Sequence, residues 1–396
     1  MMRKPIKKIY EKDRMTAEER LQMVVGLGQP DRVPLSMMLY NYAPFHTGIK
    51  ASDYVTKPDV YMQAMRKVYE DLGPWDIYYN INPVSRLIDS FVLMMKLLYP
   101  GDELPDDVMT QIDEYEYMKP EDYDEILKMS FYFADTVFRA KMITRFCKEA
   151  KGAGSLRIWP KLGWGLLRQK MFWSRDWRWF RERGLVVQMG YQAEMPFDVF
   201  SMARAVVPFS MDLFQRPDII RRAALRLAPS FAESAILFAR IMGAPRVQCY
   251  MHRTSNSFIS PRHFEQLVFP GVEEIVCRII DAGMTPLLHC DGDWTKNFKV
   301  LRRLPAKKII LELDGLTDIF RAKEEIGDVM CLFGDVPAEK LVMGSPQEVD
   351  EYCHRLIEEV GKGGGFILAA GCEIPYNAKP ENLKAMVKAV CKYGYY

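Results

Sequence analysis

Pro286-Leu-Leu-His-Cys-Asp-Gly-Asp-Trp294 is a short apolar run that stops abruptly in an imidazole, a thiol and two carboxylates. With Gly283 before it and Gly292 after it, the run reads as a buried strand beginning at Thr285. Side chains alternate faces along a strand, so His289 and Asp291 share one face and Cys290 takes the other. A pair of metal ligands, or an acid and a base, is thereby offered at the carboxyl end of a buried strand.

Working outward, seven further runs have the same character: residues 33–39, 76–82, 185–192, 246–254, 308–315, 329–335 and 366–372. Helical patterns separate them from the fourth run onward, as in PRHFEQLVFPGVEEIVCRIIDA from Pro261 and SPQEVDEYCHRLIEEV from Ser345. Strand–helix alternation predicts right-handed crossovers and a parallel sheet, and eight such units predict a (β/α)8 TIM barrel. The runs end in Tyr40-Asn41, Asn80-Ile-Asn82, His252-Arg253, His289-Cys-Asp291, Glu312-Leu-Asp314, Gly334-Asp335 and Cys372-Glu373. In such a barrel these ends gather on one face, where barrel active sites are built.

About 100 residues intervene between the second and third runs, which predicts an insertion over about 84–185 within one domain spanning 1–396. Residues 85–98 and 128–151 carry helical patterns. The segment 159–185 interleaves Trp159, Trp164, Trp173, Trp177 and Trp179 with lysines and arginines. Such interleaving can serve nucleic acid or membranes. In a chain of net charge +2 the favoured reading is a helical cap with aromatics on the barrel and cations in water. Thr16-Ala-Glu-Glu19 is a capping box opening the first helix, and Gly361-Lys-Gly-Gly-Gly365 reads as a turn after a helix rather than a phosphate loop.

Composition is that of a globular protein, 49% hydrophobic and 27% charged, with no field that favours nucleic acid or anionic membrane. The eight cysteines form no CxxC, and no apolar segment is long enough to span a bilayer. The basic, polar N-terminus lacks the apolar core of a signal peptide, so a cytoplasmic location is expected. A homodimer stays open.

His289 and Asp291 at i and i+2, with Cys372 at the end of the last run, supply nitrogen, oxygen and sulfur donors for zinc and leave a fourth position free. Cys372 with His289 as nucleophile and base, or the paired carboxylates Asp291/Asp293 and Glu312/Asp314, are the metal-free alternatives. Glu312, Asp314 and Asp335 stand where a proton donor or an orienting group would be needed. Tyr40, Asn80, His252 and Arg253 are candidates for the substrate pocket.

Glu19-Arg-Leu, Gln29-Pro-Asp-Arg-Val-Pro34, Met195-Pro-Phe-Asp198, Gly334-Asp-Val-Pro337 and Gly371-Cys-Glu-Ile-Pro375 resemble the uroporphyrinogen decarboxylase superfamily of (β/α)8 barrels. Its decarboxylases resemble one another in an arginine-rich motif after the first strand; here Ser36 to Gly48 holds no arginine. Its corrinoid-dependent methyltransferases hold zinc with a His-x-Cys and a later Gly-Cys. His289 matches the histidine and Cys372 the distal cysteine, while Asp291 stands at the middle position, with Cys290 the adjacent alternative. The resemblance implies a zinc-dependent transfer of a methyl group between a small methyl donor, such as an O-methyl compound, and a corrinoid. No DxHxxG-type corrinoid motif occurs in this chain, so a separate corrinoid protein is the expected partner. The alternatives are a decarboxylase of a cyclic acid and a non-catalytic binding barrel.

Overall fold

The computed structural model describes residues 8–80, 86–150 and 155–396. The end of the second run at Ile81 and Asn82, the helical reading's first residue Ser85, and residues 1–7 lie outside the described residues. Eleven strands are described: β1 (Ser36–Met37), β2 (Ile77–Tyr78), β3 (Leu97–Leu98), β4 (Gln111–Ile112), β5 (Val186–Val187), β6 (Tyr191–Glu194), β7 (Arg246–Met251), β8 (Thr285–Cys290), β9 (Ile310–Leu313), β10 (Cys331–Val336) and β11 (Phe366–Ala370). All but the antiparallel pair β3 and β4 are parallel, in the orders β1-β2-β5 and β6 through β11. A bridge between Leu35 and Leu368 links the first strand to the last. The result is an α/β fold whose curved parallel sheet resembles a distorted TIM barrel.

The third run is interrupted, giving β5 and β6 rather than one strand. Gly190 explains the break: a Cβ there would lie 2.5 Å from the Ala244 carbonyl oxygen, so the backbone bends in where no side chain fits. Asn80 bridges the gap, donating from Nδ2 to Met189 O and accepting from Met189 N. The strands β3 and β4 depart from the all-helical reading of the segment before β5; Leu97 and Leu98 are the end of a predicted helix and form a strand instead.

Along β8 the apolar residues sort by parity. Leu287 joins an inner cluster with Ile77, Ile310, Phe333 and Ile367, whereas Leu288 and Cys290 join the outer layer beneath the helices. The inner cluster is stoppered at its amino end by helix Ala17–Val25, whose Leu21 and Val24 pack into it. That helix opens with the predicted Thr16–Glu19 capping box.

Below this stopper lies a buried ion cluster. The guanidinium of Arg20 donates to Asp31 at 2.8 Å and Asp76 at 2.7 Å, while Arg32 donates to Asp13 at 2.8 Å and Asp76 at 2.6 Å. Asp76 also accepts from Leu35 N, which ties the first helix to the entries of β1 and β2. Arg20 belongs to the Glu19-Arg-Leu motif, and Asp31 and Arg32 to Gln29-Pro-Asp-Arg-Val-Pro34.

The segment before β5 folds largely into helices, among them Arg86–Leu93, Pro120–Lys128, Phe131–Phe146 and Ser155–Arg181. The last holds the five tryptophan positions of the Trp-rich stretch. It docks by Phe180 stacking on Tyr78 with ring centroids 3.8 Å apart, and by Tyr78 donating to Asp176 at 2.7 Å. Trp177 is buried, as the cap reading expects, but Trp164 on the opposite face is 64% exposed. Among the described residues no helix is long and apolar enough to cross a membrane.

Removing the carboxylate that both arginines share leaves two buried cations short of an acceptor. Asp76→Ala is therefore expected to destabilise the fold by about 3–5 kcal/mol, read as a lowered denaturant midpoint; an unchanged midpoint would show that the cluster is incidental.

Candidate metal centre and its cavity

Strand register assembles the site. Glu194 pairs with Tyr250, Tyr250 with His289 and His289 with Glu312, so four neighbouring strands present one row of side chains. Two residues further along two of these chains, His252 and Asp291 stand above it. A chain of alternating acids and imidazoles results: Glu194 lies 3.5 Å from His252 Nε2, His252 Nδ1 2.7 Å from Asp291, Asp291 Oδ1 3.3 Å from His289 Nε2, and His289 Nδ1 2.8 Å from Glu312. Cys372, just past β11, places its Sγ 4.0 Å from both His289 Nε2 and Asp291 Oδ1.

The loop after β8 is locked in place. Gly292 has φ +87°, and a Cβ there would lie 2.3 Å from Ser255 Oγ. Its N–H donates to Asp314, and its carbonyl accepts from Thr317. The buried Trp294 donates from Nε1 to the Asp291 carbonyl at 2.9 Å, holding the backbone that carries this carboxylate.

Burial favours neutral imidazole, but the surrounding carboxylates outweigh it. His252 is raised to about 10 by Glu194 and Asp291, and His289 is raised well above its ordinary value by Glu312 and Asp291. Burial would raise Asp291, yet the charge of His289 and hydrogen bonds from both imidazoles hold it below the usual carboxylate range. Glu373 accepts from Asn41 N and is pushed up to about 8 by burial.

His252, His289 and Asp291 offer ligand atoms within 4.8 Å of one another. Ligand atoms at about 2.1 Å from a tetrahedral ion are about 3.4 Å apart. The 3.3 Å separation of His289 Nε2 and Asp291 Oδ1 fits that edge, and Cys372 Sγ at 4.0 Å is a few tenths wider. The donors present, nitrogen, oxygen and sulfur, suit a divalent ion of the zinc kind.

These groups form the floor of a cavity of about 300 Å³. Its roof comes from the segment before β5 and includes Asp89, Leu97, Thr110, Leu166 and Trp173, while Tyr191, Phe238 and Tyr250 form part of its walls. Asp89 is fully buried, accepts from Tyr99 at 2.7 Å and is pushed up to about 7 by burial.

Of the residues singled out by sequence, His252, His289, Asp291, Cys372, Tyr40 and Asn80 line this cavity. His252 was expected to face substrate and instead also falls within the metal-binding group. Asn80 is largely used in bracketing Met189. Glu312 stands behind His289 as its hydrogen-bond partner, and Asp314 secures the loops at Gly292 and Leu316. Two candidates are directed elsewhere: Arg253 pairs with Glu114, and Asp335 accepts from Tyr352. Cys290 is buried in the outer layer, away from His289. Glu194 and Asp89 were missed. Glu194 carries the same signal as the others, a charged residue closing a short strand, but it lies two residues past the expected end of the third run.

The family model "Uroporphyrinogen decarboxylase (URO-D)" matches residues 181–393. A uroporphyrinogen decarboxylase of Pseudoalteromonas atlantica is 32% identical over 176 residues, 42% of this chain and 48% of that protein. One of Methylococcus capsulatus is 30% identical over 84 residues, 21% of this chain and 24% of that protein. The chain thus matches about half or less of the length of these curated relatives. A methyltransferase from Methanosarcina mazei superposes with a TM-score of 0.65 at 15% identity, covering 96% of this chain and 99% of that one, a likeness of fold. With more than half of its length matched by the family model, the chain belongs to the uroporphyrinogen decarboxylase family.

Proposed function

We propose that this protein is a zinc-dependent methyltransferase that moves a methyl group between a small methyl donor and the corrinoid of a partner protein. The observation that carries the reading is the convergence of His289 Nε2, Asp291 Oδ1 and Cys372 Sγ within 4.0 Å of one another on the floor of a cavity. The proposal takes the chain as one (β/α)8 domain, with the helical segment of about 84–185 inserted over the strand ends.

In this reading His289, Asp291 and Cys372 would hold the ion at the floor of the cavity. Glu312 on His289 Nδ1 and His252 on the second oxygen of Asp291 orient the ligands, the arrangement usual behind metal-bound histidines and carboxylates. When bound, the ion supplies a Lewis acid, harder than an all-thiolate zinc, for an oxygen of the donor such as that of an O-methyl compound. The chain's own groups bind and orient the donor and keep water away from the methyl carbon. Decarboxylation of a porphyrinogen fits less well, because a many-carboxylate substrate needs cations, and no lysine or arginine is among the described residues lining the cavity.

Protein purified without chelator is expected to carry close to one zinc per chain, with occupancy lost in Cys372→Ala and Asp291→Ala. Glu312→Gln is expected to keep the site but lower zinc affinity about 10–100-fold, read by chelator competition. Protein that takes up no metal when zinc is supplied at neutral pH would sink the mechanism.

Mixed with a cobalt(I) corrinoid protein and methyl donors, the zinc-loaded enzyme is expected to convert the cobalt(I) absorption to that of the alkylated cobalt, and Cys372→Ala to lose at least about 100-fold in rate. Release of carbon dioxide from a cyclic acid without any corrinoid would assign the protein to the decarboxylases instead.

A further inference from the structure

Glu194 is 2% exposed, lines the cavity, and has no hydrogen bond to either carboxylate oxygen. A buried carboxylate without a hydrogen bond is expensive, and native structures rarely leave one so without a ligand to complete it. Its nearest positive group, His252, is 3.5 Å away and is shared with Asp291, which lies closer at 2.7 Å. One imidazole cannot cancel two carboxylates. An ion held by Asp291 and the Cys372 thiolate would add no net charge and would leave His289 a neutral ligand, so one imidazole, His252, would remain against the two buried carboxylates Glu194 and Glu312.

The rest of the lining points the same way. Asp89 and Glu373 add two more carboxyl groups, and no lysine or arginine opposes them among the described lining residues. Aromatic faces are at hand: Tyr191 stacks on Phe238 with centroids 5.2 Å apart, and Trp173 and Tyr250 complete the walls. Carboxylate plus aromatic faces is how proteins hold ammonium groups, and it disfavours anions.

We infer that the cavity takes a methyl donor that also carries a cationic ammonium group, whose charge is met by Glu194 and whose apolar body lies against the aromatic and aliphatic walls. This rests on the ligand set proposed above and narrows its substrate class.

The test is calorimetric binding to the zinc-loaded full-length protein, without corrinoid, of three compounds of one shape: choline, its neutral isostere 3,3-dimethyl-1-butanol, and the anion 3,3-dimethylbutanoate. Choline is expected to bind at least about tenfold more tightly than the alcohol, and the anion more weakly than either. Glu194→Gln is expected to erase the preference for choline over the alcohol while retaining zinc and without lowering the thermal midpoint. Binding of the alcohol as tight as choline, no binding of choline at millimolar concentration, or an undiminished preference in Glu194→Gln would overturn the inference. So would loss of zinc from that variant, which would make Glu194 a ligand. Methyl transfer is read separately: an active enzyme that prefers the neutral alcohol refutes the charge selection alone, and a choline-selective protein that transfers no methyl group refutes the transferase reading alone.

Discussion

Parallel pairing in register is the constraint on which the site depends. Because Glu194, Tyr250, His289 and Glu312 are direct neighbours across β6 to β9, one row of inward-facing positions delivers two carboxylates, a phenol and an imidazole to the same depth. A slip of β8 by one residue would send His289 into the outer apolar layer and bring Cys290 inward. Such a slip is opposed by every apolar residue of the strand: Leu287 would leave the inner cluster and Leu288 would enter it. The register that places the chemistry is thus held by hydrophobic sorting several residues away from it.

Buried charge is handled in opposite ways at the two ends of the sheet. At the amino end, Arg20 and Arg32 meet Asp13, Asp31 and Asp76 with bonds of 2.6–2.8 Å, all of them within the protein. Nothing there is left for a ligand, and the cluster's consequence is to fix the first helix against β1 and β2. At the carboxyl end the acid–imidazole chain is looser, with contacts of 3.3 and 3.5 Å beside those of 2.7 and 2.8 Å, and Glu194 closes it without a hydrogen bond. Imidazoles raised by their carboxylates carry protons in the absence of an ion, and an ion entering between His289 and Asp291 must displace one. The same carboxylates that would favour a divalent ion would therefore make its uptake sensitive to acid.

The parity of Leu287, Leu288, His289, Cys290 and Asp291 was legible from β8 alone, because a period of two survives any packing. The parallel order of strands followed from the strand–helix alternation. What the sequence could not reveal is where a strand is cut: the break at Gly190 depends on the approach of Ala244, 54 residues away, and it hid Glu194 beyond the expected end of the run. Arg253 and Asp335 sat at strand ends like the others, yet Arg253 turns to Glu114 in the segment before β5 and Asp335 to Tyr352 on a neighbouring helix. A strand end promises position, and the partner that captures a side chain there belongs to another part of the chain.

That division bears on what family membership can say. The matched region, residues 181–393, contains Glu194, His252, His289, Asp291 and Cys372 on the floor of the cavity, and Glu312 behind His289. The roof residues Asp89, Leu97, Thr110, Leu166 and Trp173 all precede it. Two proteins of this family can therefore share a floor, and with it a way of holding an ion, while enclosing quite different substrates. In this chain the roof adds an acid, aliphatic side chains and an indole, and no lysine or arginine is among its described residues. A compound with several carboxylates would meet four carboxyl groups and no basic side chain except two imidazoles already engaged with acids. That distribution of charge among the described lining residues supports the proposed cationic donor over a substrate of many carboxylates.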